Sequence, residues 1–137
     1  MIEHTYIHAF IEAWNSGEPA RILAFYGQEY EGQEISDPKG QHGRQGVEQM
    51  IRKFFDAFPD LAIQPIDWVC EGDKVSLYWE ATGTHNGRIL NIPPTRKKVA
   101  IQGASLIQVK DGLIISGRHL WDLAAMLRHI GLLPALS

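Results

Sequence analysis

Apolar residues recur along the chain first at helical and then at alternating spacing, and the change of period divides it into two halves. Tyr6, Ile7, Phe10, Ile11 and Trp14 stand three and four residues apart, on one face of a helix predicted over residues 2–15. Asn15-Ser16-Gly17 closes it, glycine being suited to the left-handed position beyond a helix end. A short second helix is predicted from Pro19 to Tyr26, with the proline in the first turn, where a missing N–H costs nothing. Tyr30 to Ile35 reads as a strand and Asp37 to Gly43 as a Pro/Gly-rich loop. Val47, Met50, Ile51, Phe54, Phe55 and Phe58 then keep the helical period until Pro59 stops a third helix.

Beyond Pro59 the period becomes two. Strands are predicted at 61–70, 74–85, 97–109 and 113–121. Glu71-Gly72-Asp73 and Lys110-Asp111-Gly112 supply tight turns, while the longer connection 86–96 carries Pro93-Pro94, which cannot donate to a ladder. Val75, Leu77, Trp79, Ala81 and Gly83 share one strand face, so Trp79 is buried as core or as pocket wall. A last helix begins near Asp122, with Leu123, Met126, Leu127 and Ile130 on one stripe. Helices against one face of a curved antiparallel sheet make a single α+β domain over 1–137. Such a bent sheet leaves a concave apolar pocket, the usual location of a small-molecule site.

Composition narrows the function classes. With 137 residues, 45% hydrophobic and 21% charged, the chain has the balance of a folded globular domain. A formal net charge of -3 argues against a general nucleic-acid binder, and no window is apolar enough to cross a bilayer. Cys70 is the only cysteine, so no internal disulfide forms, and with no secretory signal in view a cytoplasmic location is expected. His4, His8 and Glu12 have a spacing that suits zinc, but they lie away from the apolar stripe and read as a solvated surface; no metal site is expected.

Several short motifs, in order, carry a family resemblance. Trp14-Asn15-Ser16-Gly17-Glu18-Pro19, Gly43-Arg44-Gln45-Gly46-Val47 and Phe58-Pro59-Asp60-Leu61 mark the helix breaks. Ala81-Thr82-Gly83-Thr84-His85-Asn86-Gly87, Ile92-Pro93-Pro94-Thr95, Asp111-Gly112-Leu113-Ile114 and Leu127-Arg128-His129-Ile130-Gly131 are the more specific part. Together they resemble the SnoaL-like polyketide cyclases, or ester cyclases. The resemblance implies the cone-shaped α+β barrel of the nuclear transport factor 2-like superfamily, its sheet wrapped around helices. It also implies an intramolecular aldol closure by general acid/base chemistry on a hydrophobic, polyketide-like carbonyl compound, with no metal or organic cofactor. In that family an aspartate at the start of the last helix is the acid/base, which points to Asp122.

The residues themselves leave alternatives. Asp122 precedes Leu-Ala-Ala-Met and also suits a helix N-cap. Where many family members carry Glu-His-Trp, this chain has Ser116-Gly117-Arg118. An inward Arg118 would hold Asp122 ionised and suit an acidic ligand. Alternation sets His119 and Trp121 on one face, either convex or at the pocket. His119 is the second catalytic candidate. Tyr26, Phe54, Trp79, His85, Gln102, Arg118 and Trp121 are the candidate ligand-binding residues. Of these, Tyr26 and Phe54 also read as core, His85 as a loop anchor and Gln102 as solvent-facing. The convex sheet face must be covered or polar, so a homodimer or tetramer is expected. The alternative function is a non-catalytic ligand-binding or dimerisation module.

Overall fold

The computed structural model describes residues 2–136. Four helices, α1 (His4–Asn15), α2 (Pro19–Leu23), α3 (Gly43–Ala57) and α4 (Leu123–His129), accompany six strands. These are β1 (Tyr26–Glu34), β2 (Asp37–His42), β3 (Ala62–Glu71), β4 (Lys74–Thr84), β5 (Lys98–Lys110) and β6 (Leu113–Trp121). They form one curved, open sheet in the order β2-β1-β6-β5-β4-β3. The expected meander from β3 to β6 is present, each strand antiparallel to the next.

Three expectations need correction. The sheet is mixed, because β1 joins β6 in parallel. The segment 37–43, read as a loop, is largely strand β2, paired antiparallel with β1. Tyr26 opens β1 rather than closing α2, which ends at Leu23. One reason covers the last two. β1 and β2 are rich in polar residues and glycine, so neither shows a sustained two-residue period. Their pairing comes from the neighbouring strand. Pro38 is tolerated because β2 is a sheet edge, where a missing N–H need break no ladder bond.

The periodic segments fold as their spacing requires. Ile7, Phe10, Ile11 and Trp14 of α1 are buried together with Val47, Met50 and Ile51 of α3. They pack on the inward residues Val75, Leu77, Ile107, Val109 and Ile114 of the sheet. A second cluster gathers Phe58, Val99, Trp121, Met126 and Ile130 near α4. Phe54, Leu61 and Trp79 pack against both clusters.

The Gly-Thr-His-Asn-Gly segment clamps the end of α3. Asn86 and Gly87 donate backbone N–H groups to the Ala57 carbonyl at 2.9 and 3.1 Å. A Cβ at Gly87 would stand 1.9 Å from the Asp56 carbonyl oxygen, so only glycine fits this approach. His85 is fully buried, and its Nδ1 accepts from the Thr95 N–H at 3.2 Å. That contact ties the β4–β5 connection to β4. Among the described residues no helix is long and apolar enough to cross a membrane.

Candidate active site

The two clusters enclose a cavity of about 120 Å³, walled almost wholly by apolar side chains. Phe10, Ile11 and Trp14 of α1 and Met50, Phe54 and Phe58 at α3 form one wall. Leu77, Trp79 and Ala81 of β4, Val99 and Ile101 of β5, and Trp121 of β6 form the other. Polar atoms converge at one end, where Glu34, Ser105 and His119 also line the space.

Sheet register brings that polar end together. His119 is the Cα partner of Glu34 on β1 and of Ser105 on β5. Its Nδ1 lies 2.7 Å from Ser105 Oγ, and its Nε2 lies 3.4 Å from the Tyr30 hydroxyl. Trp79 Nε1–H donates to the same Ser105 oxygen at 2.9 Å. Gly103 lies under the Trp79 ring, where a Cβ would meet Cζ2 at 2.4 Å. Four residues on four strands, Tyr30, His119, Ser105 and Trp79, thus form one hydrogen-bonded row.

Beside the row sits a buried anion. Glu34 receives Lys53 Nζ at 2.6 Å, the Ser36 N–H at 2.6 Å, the Ser36 hydroxyl, and Trp121 Nε1–H at 3.3 Å. Burial pushes its pKa up, but the hydrogen bonds from Lys53 and Ser36, with the Lys53 charge, outweigh this and hold it below the ordinary value. With five donor contacts on its two oxygens, Glu34 is a fixed negative charge. Burial lowers the His119 pKa to about 4 against the opposing pull of the Glu34 charge, so the imidazole is neutral near pH 7. Burial raises the Tyr30 and Tyr26 phenols.

Five of the residues singled out by sequence line the cavity: Tyr26, Phe54, Trp79, His119 and Trp121. Four do not. Arg118 alternates outward on β6 and borders a depression on the outer sheet face with Lys39 and Lys74. It therefore does not approach Asp122 from inside a pocket. Gln102 faces the same outer side, where its side-chain oxygen accepts from the Tyr78 hydroxyl at 2.5 Å. His85 serves the loop described above. Asp122 follows the end of β6, is exposed, and caps α4 by accepting from the Ala125 N–H at 2.9 Å. A helix start aims its cap at free backbone N–H groups, which here turns the carboxylate away from the cavity.

Glu34, Ser105 and Tyr30 escaped the sequence reading. Ser105 had a usable signal, a lone hydroxyl in the apolar series Val99, Ile101, Gly103, Ile107, Val109. Glu34 shares the alternation of Tyr30 within the strand predicted there, but nothing in the sequence indicates its partners, which lie on other elements. Among the described residues, no three His, Cys, Asp or Glu side chains are arranged to hold a metal ion.

An open α+β sheet backed by helices around an apolar cavity defines a domain of the nuclear transport factor 2/ketosteroid isomerase-like class. TsrD of Streptomyces laurentii has this fold with a TM-score of 0.83 at 25% identity, covering 97% of this chain and 100% of its own. IdmH of Streptomyces antibioticus, a provisionally assigned polyketide cyclase, gives 0.77 at 25% identity over 93% and 96% of the two chains. A ketosteroid isomerase-like protein of Catenulispora acidiphila gives 0.82 at 15% identity over 99% of each, which speaks for the fold alone. No curated protein sequence matches the chain. The SnoaL-like polyketide cyclase profile matches residues 4–130, and the chain belongs to that family.

Two predictions concern these groups. Asp122→Ala removes the α4 cap and costs about 1 kcal/mol, a fall of a few degrees in Tm, with the cavity intact; calorimetry that finds no loss refutes the cap. For His119 the folded pKa lies below the ordinary 6.5, so the unfolded chain binds the proton first. The stability its neutral form contributes is therefore complete above about pH 6.5 and is lost between there and about pH 4. His119→Gln is expected to lose less stability than wild type on acidification through this window, as measured by denaturant unfolding; equal losses refute the assignment.

Proposed function

We propose that this protein is a cofactor-independent enzyme that binds a hydrophobic carbonyl compound in the cavity. It there catalyses an aldol ring closure or a related proton abstraction at carbon. The carrying observation is a neutral imidazole at the polar end of an otherwise apolar cavity in a SnoaL-like chain. The ionised Glu34 carboxylate at the polar end takes the α-proton and returns it to the alkoxide that ring closure forms. As the proton leaves, charge moves onto the carbonyl oxygen, while a conjugated substrate delocalises the rest. His119 acts on that oxygen through the hydrogen bonds of the polar end. Neutral, preoriented donors in an apolar site stabilise such an oxyanion without reorganising solvent. Asp122, expected to be the acid/base, is assigned to capping.

The test is α-proton exchange in D₂O with aromatic and alicyclic β-keto esters, followed by mass spectrometry. Wild type and Asp122→Asn are expected to catalyse exchange, and His119→Gln to lose about 10²–10³-fold. Loss of exchange in Asp122→Asn, with His119→Gln active, overturns the assignment.

A second reading, self-association, concerns the other sheet face. Val69, Tyr78, Leu106 and Leu120 are 67%, 42%, 48% and 68% exposed. Register makes them neighbours, in the rows Val69–Ser76–Leu106–Arg118 and Asp67–Tyr78–Ala104–Leu120. Lys74 lies at one end of β4 and Glu80 towards the other. A second copy turned about an axis across the strands sets apolar on apolar and Lys74 opposite Glu80. A contiguous exposed patch of this kind marks an association surface. Sedimentation is expected to give at least twice the 15.4 kDa chain mass, falling to one chain in Leu106→Glu/Leu120→Glu. A monomeric wild type ends this reading.

A further inference from the structure

Counting donors and acceptors along the polar row leaves one proton unassigned. An indole N–H only donates, so Ser105 Oγ accepts from Trp79 at 2.9 Å. Tyr30 is fully buried, and the only hydrogen-bond partner of its hydroxyl among the described residues is His119 Nε2 at 3.4 Å. A buried phenol stays protonated, and its O–H is satisfied here only by donating to Nε2, which therefore accepts. A neutral imidazole that accepts at Nε2 carries its proton on Nδ1. That proton goes to Ser105 Oγ at 2.7 Å. Both lone pairs of the serine oxygen are then filled. Its own O–H has no acceptor among the described residues, and Ser105 lines the cavity.

Two glycines show that the fold makes room for this arrangement. Gly32 and Gly117 are Cα partners across the parallel β1–β6 pair. A Cβ at Gly32 would stand 2.1 Å from the Tyr30 hydroxyl, and one at Gly117 would stand 2.5 Å from it and 2.9 Å from His119 Nε2. Any side chain at either position closes the space in which Tyr30 meets His119.

We infer that the Ser105 hydroxyl is the group that selects and orients the ligand, by donating to a carbonyl oxygen through the chain Tyr30 to His119 to Ser105. Ser105 touches the ligand; Tyr30 and His119 are positioning residues that set the direction of its proton. The site therefore prefers a compact apolar molecule with an acceptor oxygen over the hydrocarbon of the same shape. This inference rests on the cavity being the ligand site, as in the proposed function, but not on turnover.

The first arm of the test needs no ligand. Nitrogen-15 spectra of histidine-labelled protein near neutral pH are expected to show His119 as the Nδ1–H tautomer, moving to Nε2–H in Tyr30→Phe. The second arm compares binding of 1-indanone with indane. Wild type is expected to prefer the ketone by about tenfold, the scale of one neutral hydrogen bond. Ser105→Ala and Tyr30→Phe are each expected to abolish that preference. Indane affinity should stay within about twofold in Tyr30→Phe, whose side chain does not line the cavity. The bound ketone should show a lowered carbonyl stretch in wild type and not in Ser105→Ala. An Nε2–H tautomer in wild type, or a ketone preference that survives Ser105→Ala, overturns the inference. Uptake of both probes without preference overturns the inference and leaves the cavity as the ligand site; uptake of neither removes both.

Discussion

Because β1 lies parallel to β6, the only ionised side chain that lines the cavity among the described residues, Glu34, stands beside the only imidazole among them that does, His119. The same pairing aligns Gly32 with Gly117 and so admits the Tyr30 hydroxyl to His119. Had β1 paired one residue out of step, alternation would have turned Tyr30 and Glu34 to the outer face. The polar end of the cavity is thus a consequence of register. A parallel contact between the first strand and the last also brings residues 31–34 against residues 116–119, which no local segment could do.

Placing a carboxylate there carries a penalty that the surroundings offset. A buried, unpaired anion is disfavoured by several kcal/mol, and a single counter-ion need not repay it. Glu34 has one counter-ion, Lys53, and further donors from Ser36 and Trp121. Each donor comes from a different element: the turn after β1, α3 and the end of β6. The network therefore joins these elements and fixes the edge of the Trp121 ring, which is itself cavity wall. The charge that remains is felt by His119, yet burial still prevails and keeps the ring neutral. A neutral ring can both accept and donate, which the row of hydrogen bonds needs.

The two faces of the sheet divide the labour. Inward positions alternate with outward ones on every central strand, so His119 and Trp121 enter the cavity while Arg118 and Leu120 face away. Arg118 consequently leaves the cavity with no lining cation among the described residues, and the acidic ligand that an inward Arg118 would have favoured loses its reason. The apolar walls and single polar end are what the proposed hydrophobic carbonyl ligand would meet.

Much of the architecture was legible in the chain. The helical stripes of α1 and α3, the alternation of β4 to β6 and the glycine turns each express a local period or a local backbone demand, and such demands are written in neighbouring residues. Trp79 and Phe54 were legible as buried residues for the same reason, but whether each is core or cavity wall was not. The polar strands β1 and β2 were not, since their pairing depends on partners distant in sequence. Asp122 shows the boundary clearly: its neighbours announce a helix start, but whether a carboxylate there turns inward depends on where β6 ends. The sequence by itself determined the periodic elements, their apolar faces and the family. Only the tertiary structure decided which polar groups meet, because Tyr30, Glu34, Ser105 and His119 lie on strands whose order and register no local period encodes.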